Sequence, residues 1–236
     1  MNGYLRTGIK LSRETRQAWE LAGFRVTAPG SLSDLCCDNE SLVVNYGSPT
    51  PMACNPSILL NDPERIHRTR VEELPQYVGE YMPLVKFDQP VIVKANGSKG
   101  KGKIIVGAGS PVVVQRFLYP AEEYRVITWD IPGVMEPEVL AWSRKNVEDP
   151  FNPASPKDFQ YLPTYDIHPN LARNLLVAHE KLGLNFVGWD VLLHNGLWWI
   201  IEANSAPGVG EQTARRIRKR LRRVLGQVHP QQEVAA

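Results

Sequence analysis

The stretch NFVGWDVLLHNGLWWIIEAN, residues 185–204, decides the fold class. Two apolar runs flank Asn195-Gly196, and an Asn-Gly pair between such runs is the strongest short-range signal for a β-hairpin. Residues two apart on a strand point to the same face, so Glu202 and Asn204 project together. Asp190, on the preceding strand, can reach that face across the hairpin. The sequence therefore predicts two carboxylates and an amide oxygen on one side of a late hairpin.

This trio of Asp190, Glu202 and Asn204 is a hard, all-oxygen ligand set with a formal charge of −2. Such a set suits Mg²⁺, which prefers oxygen ligands and completes its shell with water and substrate phosphates. The flanking apolar residues strengthen this interpretation, because a carboxylate buried among them is costly unless a cation or donor compensates it. The alternative is that the three are solvent-facing polar residues of an alternating strand.

A second hairpin is predicted in the middle of the chain, where PVIVK (90–94) and IIVGA (104–108) flank NGSKGKGK (96–103). Lys94 ends an apolar strand, and the glycines free the following loop to fold over a ligand. Backbone N–H groups of such a loop can cradle phosphate oxygens. The spacing is not that of a Walker A loop. The alternative is a solvated, lysine-rich turn.

The segment QRFLYPAEEYRV (115–126) follows. Backbone groups at Phe117-Leu118 can hydrogen-bond a flat base, and Glu122 or Glu123 can accept from ribose hydroxyls. Arg125 can pair with a phosphate oxygen. The alternative is a surface Glu–Arg cluster that contributes little.

In this order the features resemble the ATP-grasp superfamily, and more closely its branch of ribosomal-protein-S6 glutamate ligases and glutathione synthetases. The resemblance covers about residues 60–225. The matching motifs are Val93-Lys94 with the glycine-rich loop 97–102, Gln115-Arg116-Phe117-Leu118, Glu123-Tyr124-Arg125-Val126, Gly188-Trp189-Asp190, and Glu202-Ala203-Asn204-Ser205-Ala206-Pro207-Gly208.

The resemblance implies an ATP-dependent carboxylate–amine ligase. A carboxylate would attack the γ-phosphate, and an amine would then attack the resulting acyl phosphate, with release of ADP and phosphate. Small-molecule or peptide carboxylates and amines are the implied substrates. The implied alternative on the same fold is a kinase or another phosphotransferase, which would leave a stable phosphorylated product.

The resemblance also implies a role for each matching residue. Lys94 would contact the nucleotide phosphates, and the loop with Gly97, Ser98, Lys99 and Gly100 would close over them. The backbone of Phe117 and Leu118 would contact adenine, and Glu123 the ribose, with Gln115 as a further cofactor-binding residue. Arg125 would face a phosphate or the acyl phosphate. Asp190, Glu202 and Asn204 would hold Mg²⁺, with Mn²⁺ as an alternative. Arg144, with Lys145 and Asn146 beside it, is a candidate for substrate or phosphate contact.

Three departures from the family pattern stand out. Arg116 follows the hinge glutamine where the family usually has an acid. The family's early ATP-contacting lysine is absent from DPERIHRTR (62–70), where Arg65 or Arg68 could replace it. The N-terminal lobe is short, at about 60 residues, so another chain could supply part of the acceptor recognition.

The expected fold class is α+β: an ATP-grasp fold of two α+β lobes with a short βαβ-like pre-grasp lobe. The expected divisions are a pre-grasp lobe (1–60), a small lobe with the glycine-rich loop (61–118), a large lobe with the metal site (119–225) and a flexible tail (226–236). Predicted elements are strands at 3–8, 24–28, 41–46, 111–119, 124–130 and 134–142, helices at 13–22, 63–79, 170–182 and 211–225, and a long loop at 143–168.

Net charge is +2, but RRIRKRLRR (215–223) carries seven basic residues, which leaves 2 − 7 = −5 for the rest. On a helix these residues are most simply a solvated face; the alternatives are contact with a polyanion such as nucleic acid, or with a membrane surface. A nucleic-acid-binding protein is therefore a second function class. No apolar run is long enough to span a bilayer. Three cysteines suggest no disulfide framework, and a cytoplasmic protein is expected. The oligomeric state is not predicted.

Overall fold

The computed structural model describes residues 2–8, 10–27, 41–50, 52, 56–70, 73–78, 91–93, 104–106, 118–148 and 157–228. These residues form a four-stranded sheet, a five-stranded sheet, a two-stranded sheet and three α-helices. Two lobes meet around the five-stranded sheet, which carries the candidate site.

The N-terminal lobe is a parallel sheet with the strand order β2-β1-β3-β4. Helix α1 connects β1 to β2; the Ser12 side chain accepts a hydrogen bond from Thr15 N at its start, and Gly23 adopts the left-handed conformation at its end. These signals made the helix predictable. Strand β4 extends the expected βαβ unit. The elements are β1 (Asn2–Thr7), α1 (Arg13–Ala22), β2 (Phe24–Val26), β3 (Ser41–Tyr46) and β4 (Ile58–Leu60).

The single helix predicted over 63–79 is wrong. Two short 3₁₀ helices occupy Pro63–Thr69 and Leu74–Gln76 instead. The backbone of Arg70 is extended, with ψ of 143°, so the first helix ends there. The predicted start at Asp62-Pro63 is confirmed, because Asp62 caps the helix and Pro63 begins it.

A small antiparallel pair joins β5 (Val91–Val93) to β6 (Ile104–Val106), which confirms the strands of the mid-chain hairpin. The glycine-rich loop between them lies outside the described residues. Of the strand predicted over 111–119, only residues 118–119 are described, and they are not in a strand.

The large sheet is antiparallel, with the order β11-β10-β7-β8-β9. The long loop predicted at 143–168 is wrong in part, because β8 continues to Val147 and β9 pairs beside it. Both segments are polar because the end of β8 carries a charged residue on each face and β9 lies at the sheet edge, so neither shows an apolar run. The strands are β7 (Glu122–Ile131), β8 (Met135–Val147), β9 (Lys157–Leu162), β10 (Phe186–His194) and β11 (Leu197–Asn204).

Helix α2 (Pro169–Leu182) packs on one face of this sheet, where Leu175 and Leu182 join a core with Val126 and Trp189. The other face packs against the N-terminal lobe and α3 (Glu211–Val228), in a core that includes Trp19 and Trp129. Helix α3 extends beyond residue 225, where the flexible tail was expected to begin. No helix in the described part of the chain combines the length and apolar character needed to cross a bilayer.

Asn61 connects the two lobes through hydrogen bonds inside the protein. Its side chain is fully buried and its φ is 62°. Nδ2 donates to the carbonyl oxygens of Phe186 (2.8 Å) and Ser205 (3.2 Å). Oδ1 accepts from the backbone N–H groups of Asn185 and Phe186, both at 2.8 Å. Because β10 begins at Phe186 and Ser205 follows β11, one asparagine fixes the same end of both strands of the late hairpin.

The network continues from Asn185 into the large sheet. Asn185 Nδ2 donates to both carboxylate oxygens of Asp130, at 2.9 Å each. Buried His179 lies 2.9 Å from Asp130 through Nε2 and 2.8 Å from the hydroxyl of Thr128 through Nδ1. Trp189 Nε1 donates to that hydroxyl at 2.7 Å. A chain of hydrogen bonds therefore runs from the lobe contact to the residue before Asp190.

We expect Asn61→Gly to lower the free energy of unfolding by at least about 3 kcal/mol, because several buried groups lose their partners. Glycine accepts the positive φ, so backbone strain does not contribute. Urea unfolding followed by tryptophan fluorescence measures the change.

The matched control is Asn195→Gly, which also replaces an asparagine with positive φ but in an exposed turn. Its effect should stay within about 0.5 kcal/mol. Equal losses in the two variants would contradict the role assigned to the Asn61 hydrogen bonds.

Candidate functional site

The late hairpin has the predicted form. Asn195 and Gly196 have φ of 51° and 77°, which the tight turn between β10 and β11 requires. Asp190 lies opposite Glu202, and Gly188 lies opposite Asn204. A register shift follows Asp190, between it and Val191. The hairpin thus places both carboxylates side by side, and directly opposed residues on neighbouring strands have Cβ atoms about 5 Å apart.

Arg125 extends this pair into a row across three strands. It lies opposite Asp190 in the pairing of β7 with β10. Its Nε and Nη2 both donate to the Asp190 carboxylate, the Nη2 contact at 2.8 Å. This two-point pairing is the geometry in which arginine binds a carboxylate most strongly. Glu202, Asp190 and Arg125 are called the charged row below.

The electrostatics of the charged row are unequal at its two ends. Burial opposes the charge of Arg125, but hydrogen bonds and proximity to Asp190 outweigh it and raise the pKa of the guanidinium. At the other end, partial desolvation and then the Asp190 carboxylate raise the pKa of Glu202. Glu202 is exposed and accepts no hydrogen bond from the described residues. Arg125 and Lys145 offset this rise in pKa only in part, so the row has an excess of negative charge at Glu202.

The residues present fit a divalent cation chemically. Two neighbouring carboxylates repel each other, and a cation between them relieves that repulsion. Asn204 adds an amide oxygen, although Oδ1 also accepts from Ala206 N at 2.9 Å. Within the described ranges, no group of three or more His, Cys, Asp or Glu side chains is arranged to hold a metal. A metal here would bind two carboxylates and an amide.

Glu123 and Lys145 form a second ion pair on the same face as Arg125. Glu123 lies two residues before Arg125 and opposite Lys145, whose Nζ donates to its carboxylate. The Lys145 side chain is only 8% exposed and that of Glu123 is 22% exposed. Glu123, expected to contact ribose, is thus already held by a lysine.

Arg144 is not brought to this face. It lies opposite Tyr124, and its guanidinium is 3.5 Å from Glu122 on the α2 side of the sheet. Successive residues of a strand point to opposite faces, so Arg144 and Lys145 cannot share one. The structure therefore replaces Arg144 by Lys145 as the basic residue of β8 nearest the charged row.

The other predicted site residues are placed as follows. Leu118 is buried just before β7. Arg65 and Arg68 donate to the carbonyl oxygens of Gly183 and Leu182, at the carboxyl end of α2, where cations are favourable. Lys94, Gly97, Ser98, Lys99, Gly100, Gln115 and Phe117 lie outside the described residues.

The loop after β11 packs tightly on the hairpin. A Cβ atom added at Gly188 would lie 2.3 Å from Cβ of Pro207, so only glycine fits beneath the proline. The hydroxyl of Tyr46 donates to the Pro207 carbonyl oxygen from the N-terminal lobe. Gly188 of the first motif and Pro207 of the second motif therefore pack directly against each other.

A cavity of about 260 Å³ lies beside Arg125, a feature that sequence reasoning missed. Ile127, Phe159 and Val209 contribute apolar surface, and Glu14 of α1 also lines it. Thr213 is 1% exposed, and its hydroxyl has no hydrogen-bond partner among the described residues. The cavity therefore has a lining hydroxyl whose hydrogen-bonding capacity is unused. No sequence signal marks it, because five separate segments meet there, from α1, β7, β8, β9 and residues 208–213.

The fold is similar to those of several solved ligases. D-alanine–D-alanine ligase from Bacillus anthracis, complexed with ATP, is 13% identical, with 95% of each chain covered and a TM-score of 0.56. The ATP-grasp ligase PsnB, complexed with minimal precursor, Mg and ADP, is 12% identical, with 96% of this chain and 97% of that chain covered and a TM-score of 0.57. An L-amino acid ligase from Bacillus licheniformis is 11% identical, with 87% and 67% covered and a TM-score of 0.54.

No protein-family model matches the sequence, and no curated protein matches it. The architecture is nevertheless that of a two-lobed α+β protein built around a charged antiparallel sheet. The similarity extends over nearly the whole chain, so the chain has the ATP-grasp fold. The resemblance inferred from the motifs is thereby confirmed at the level of the fold, while its nearest branch stays a prediction.

We expect Arg125→Leu to lower the free energy of unfolding by about 3 kcal/mol, because the Asp190 carboxylate would remain buried without its counter-ion. Arg144→Leu on the opposite face should cost less than about 1 kcal/mol, since its pair is exposed. Urea unfolding of both variants measures the difference. Similar losses would show that Asp190 does not depend on Arg125.

We expect Glu202→Gln to raise stability at about pH 7 by less than about 1 kcal/mol, because solvent screens much of the repulsion that it removes. A raised native pKa means that ionised Glu202 destabilises the native state. The gain should therefore shrink as the pH falls through the native pKa and disappear by about pH 3, below the unfolded-state glutamate pKa of about 4.3. Urea unfolding without divalent cations measures it.

Adding Mg²⁺ or Mn²⁺ should then stabilise the wild-type protein but not Glu202→Gln. The control is Glu136→Gln on β8, which removes an exposed carboxylate that forms no ion pair with the described residues. A metal-dependent shift of the melting temperature that survives in Glu202→Gln would contradict metal binding at the charged row.

Proposed function

We propose that this protein is an ATP-dependent ligase that joins a carboxylate to an amine through an acyl phosphate, with release of ADP and phosphate. The observation that carries the proposal is the charged row of Glu202, Asp190 and Arg125 on the large sheet of an ATP-grasp fold. The row combines a carboxylate pair suited to a cation with a cation suited to a phosphate. Phosphoryl transfer to a carboxylate requires both kinds of charge at one place.

The carboxylate end of the row would hold Mg²⁺ or Mn²⁺ through Asp190, Glu202 and Asn204. Such an ion, when bound, neutralises charge on the transferred phosphoryl group. The protein's own contribution is to orient Asp190. Its carboxylate is 9% exposed and is fixed by two donors of Arg125. The β10–β11 pairing then holds Glu202 next to it.

Arg125, at the basic end of the charged row, has N–H donors that do not bind Asp190. Arg125 uses Nε and Nη2 on Asp190, so its Nη1 group is left for a phosphate or acyl-phosphate oxygen. Lys145 supports this end electrostatically through its pair with Glu123. In this proposal Lys145, rather than Arg144, is the basic residue of β8 near the reacting groups.

The nucleotide side of the site rests on the family resemblance. Lys94 and the loop with Gly97, Ser98, Lys99 and Gly100 would contact and cover the phosphates. The backbone of Phe117 and Leu118 would contact adenine, and Glu123 the ribose, with Gln115 as a further cofactor-binding residue. A glycine-rich lid would keep water from the acyl phosphate.

The cavity beside Arg125 is the proposed place for the carboxylate or amine substrate. It adjoins the basic end of the charged row, and the unused hydroxyl of Thr213 can hydrogen-bond a polar group of that substrate. Small-molecule and peptide substrates are both represented among similar folds, as the names D-alanine–D-alanine ligase and L-amino acid ligase and the PsnB precursor-peptide complex indicate. The proposal therefore covers both classes.

The test is an ATP-dependent ligation screen that pairs amino acids with carboxylated acceptors, including peptides. A ligase should yield ADP, phosphate and an amide detected by mass. Glu202→Gln and Lys94→Ala, made separately, should each lower turnover by at least about 100-fold, as expected for the loss of a transition-state contact. Arg144→Ala, on the opposite face, serves as the matched control and should retain activity.

Two results would overturn the proposal. Undiminished turnover in Glu202→Gln would remove the charged row from the chemistry. A stable phosphorylated product without an amide would identify a kinase instead. Far-ultraviolet circular dichroism of each variant separates loss of activity from loss of folding.

A further inference from the structure

A second open groove lies along α3, apart from the charged row. Its volume is about 580 Å³, against about 260 Å³ for the cavity beside Arg125, and it is lined by α3, β8, the end of β9 and the segment that follows β9. Four cations of the helix face into it, Arg216, Lys219, Arg220 and Arg223, against the single carboxylate of Glu138. Its formal charge is therefore 4 − 1 = +3. We call it the basic groove.

The four cations form one stripe because they occupy positions i, i+3, i+4 and i+7 of the helix, which lie on one face. Two of them are anchored to the sheet. Arg216 Nη1 donates to the Leu140 carbonyl oxygen at 3.2 Å, and Arg220 donates to the Glu138 carboxylate. Lys219 and Arg223 are exposed and have no partner among the described residues. Arg216 and Arg220 are thus held against the sheet, whereas the charges of Lys219 and Arg223 are exposed and available to a ligand.

Apolar residues also line the basic groove. Val139, Leu140, Leu162 and Pro163 line it, and Tyr165, with 86% of its surface exposed, stands at its edge. Alternating apolar and cationic surface suits a chain that carries both leucine-like and carboxylate side chains. It suits a nucleic acid less well, because stacking platforms for bases are few in the groove.

The basic groove also leads toward the cavity beside Arg125. Tyr161 lines both spaces, and its hydroxyl lies so close to Gly210 that an added Cβ atom would be 2.3 Å away. A chain that follows the stripe would therefore end next to the cavity. The stripe from Arg216 to Arg223 rises about 10 Å along the helix, which about three or four residues of extended peptide would cover.

We propose that the basic groove binds an acidic peptide segment in extended form. Charge complementarity and the apolar lining residues specify this occupant. The binding needs no nucleotide and does not depend on the ligase chemistry, so each can fail without the other. If both hold, the groove delivers a peptide substrate to the cavity.

The test is fluorescence anisotropy with a fluorescein-labelled peptide of about twelve residues, longer than the stripe requires, in which pairs of glutamates alternate with single leucines. The full chain is titrated without ATP. The affinity should fall by roughly tenfold between about 0.05 and 0.5 M salt, because the contacts are exposed. A peptide with glutamine in place of glutamate should bind at least about tenfold more weakly, since its charge-assisted contacts are lost.

The decisive comparison uses two charge reversals on the same helix. Lys219→Glu with Arg223→Glu alters the basic groove and should weaken peptide binding by at least about tenfold. Arg218→Glu with Arg222→Glu makes the same change in net charge on residues that do not line the groove, and should change affinity by less than about twofold. All four residues are exposed, so both variants should melt like the wild type.

Three outcomes would overturn the proposal. The first is no binding of the acidic peptide by the wild-type protein. The second is equal loss in the two double variants, which would mean that only net charge matters. The third is a labelled oligothymidylate of similar length that binds more tightly than the peptide and loses affinity through Lys219 and Arg223, which would assign the groove to nucleic acid.

Discussion

The site depends on a hydrogen-bonding constraint imposed by one buried side chain. Asn61 satisfies four backbone groups at the open end of the β10–β11 hairpin, and its positive φ aims the amide at them. Buried backbone groups need partners, so the two strands cannot separate at this end without a large cost. Asp190 and Glu202 lie a few residues further along these strands. The relative position of the two carboxylates is therefore set from the neighbouring lobe rather than by the hairpin alone.

The charged row shows how a sheet can hold repelling groups together. Asp190 lies between an arginine and a glutamate, and its own charge is balanced on one side only. The energetic cost is concentrated on Glu202, whose pKa is raised, while Arg125 retains its charge despite burial. Functional groups commonly carry such perturbed pKa values because their environment suits a ligand that is not always present. The ATP-grasp fold supplies the frame, and these side chains supply the specific electrostatics.

Local signals in the sequence made the hairpin and the shared face of Asp190, Glu202 and Asn204 predictable, because Asn195-Gly196 fixes the turn and strand alternation fixes the faces. Non-local pairing was not predictable. Arg125 meets Asp190 across a register that joins residues 65 positions apart, and two one-residue shifts in the β7–β8 pairing together place Lys145 opposite Glu123. A shift of one residue in the pairing register moves every side chain of a strand to the opposite face of the sheet. The single helix expected at 63–79 failed for a related reason, since a favourable start does not determine where a helix ends.

The contact between Gly188 and Pro207 has a mechanical consequence. With no side chain at residue 188, the proline ring rests directly on the main chain of β10, two residues before Asp190. No rotamer change can absorb a displacement there, so the loop and the strand must shift together. Tyr46 binds the same proline from the other lobe. Tyr46, Pro207 and Gly188 therefore form one continuous set of contacts between the lobes. Any closing or opening movement between the lobes would act through these contacts on the strand that carries Asp190.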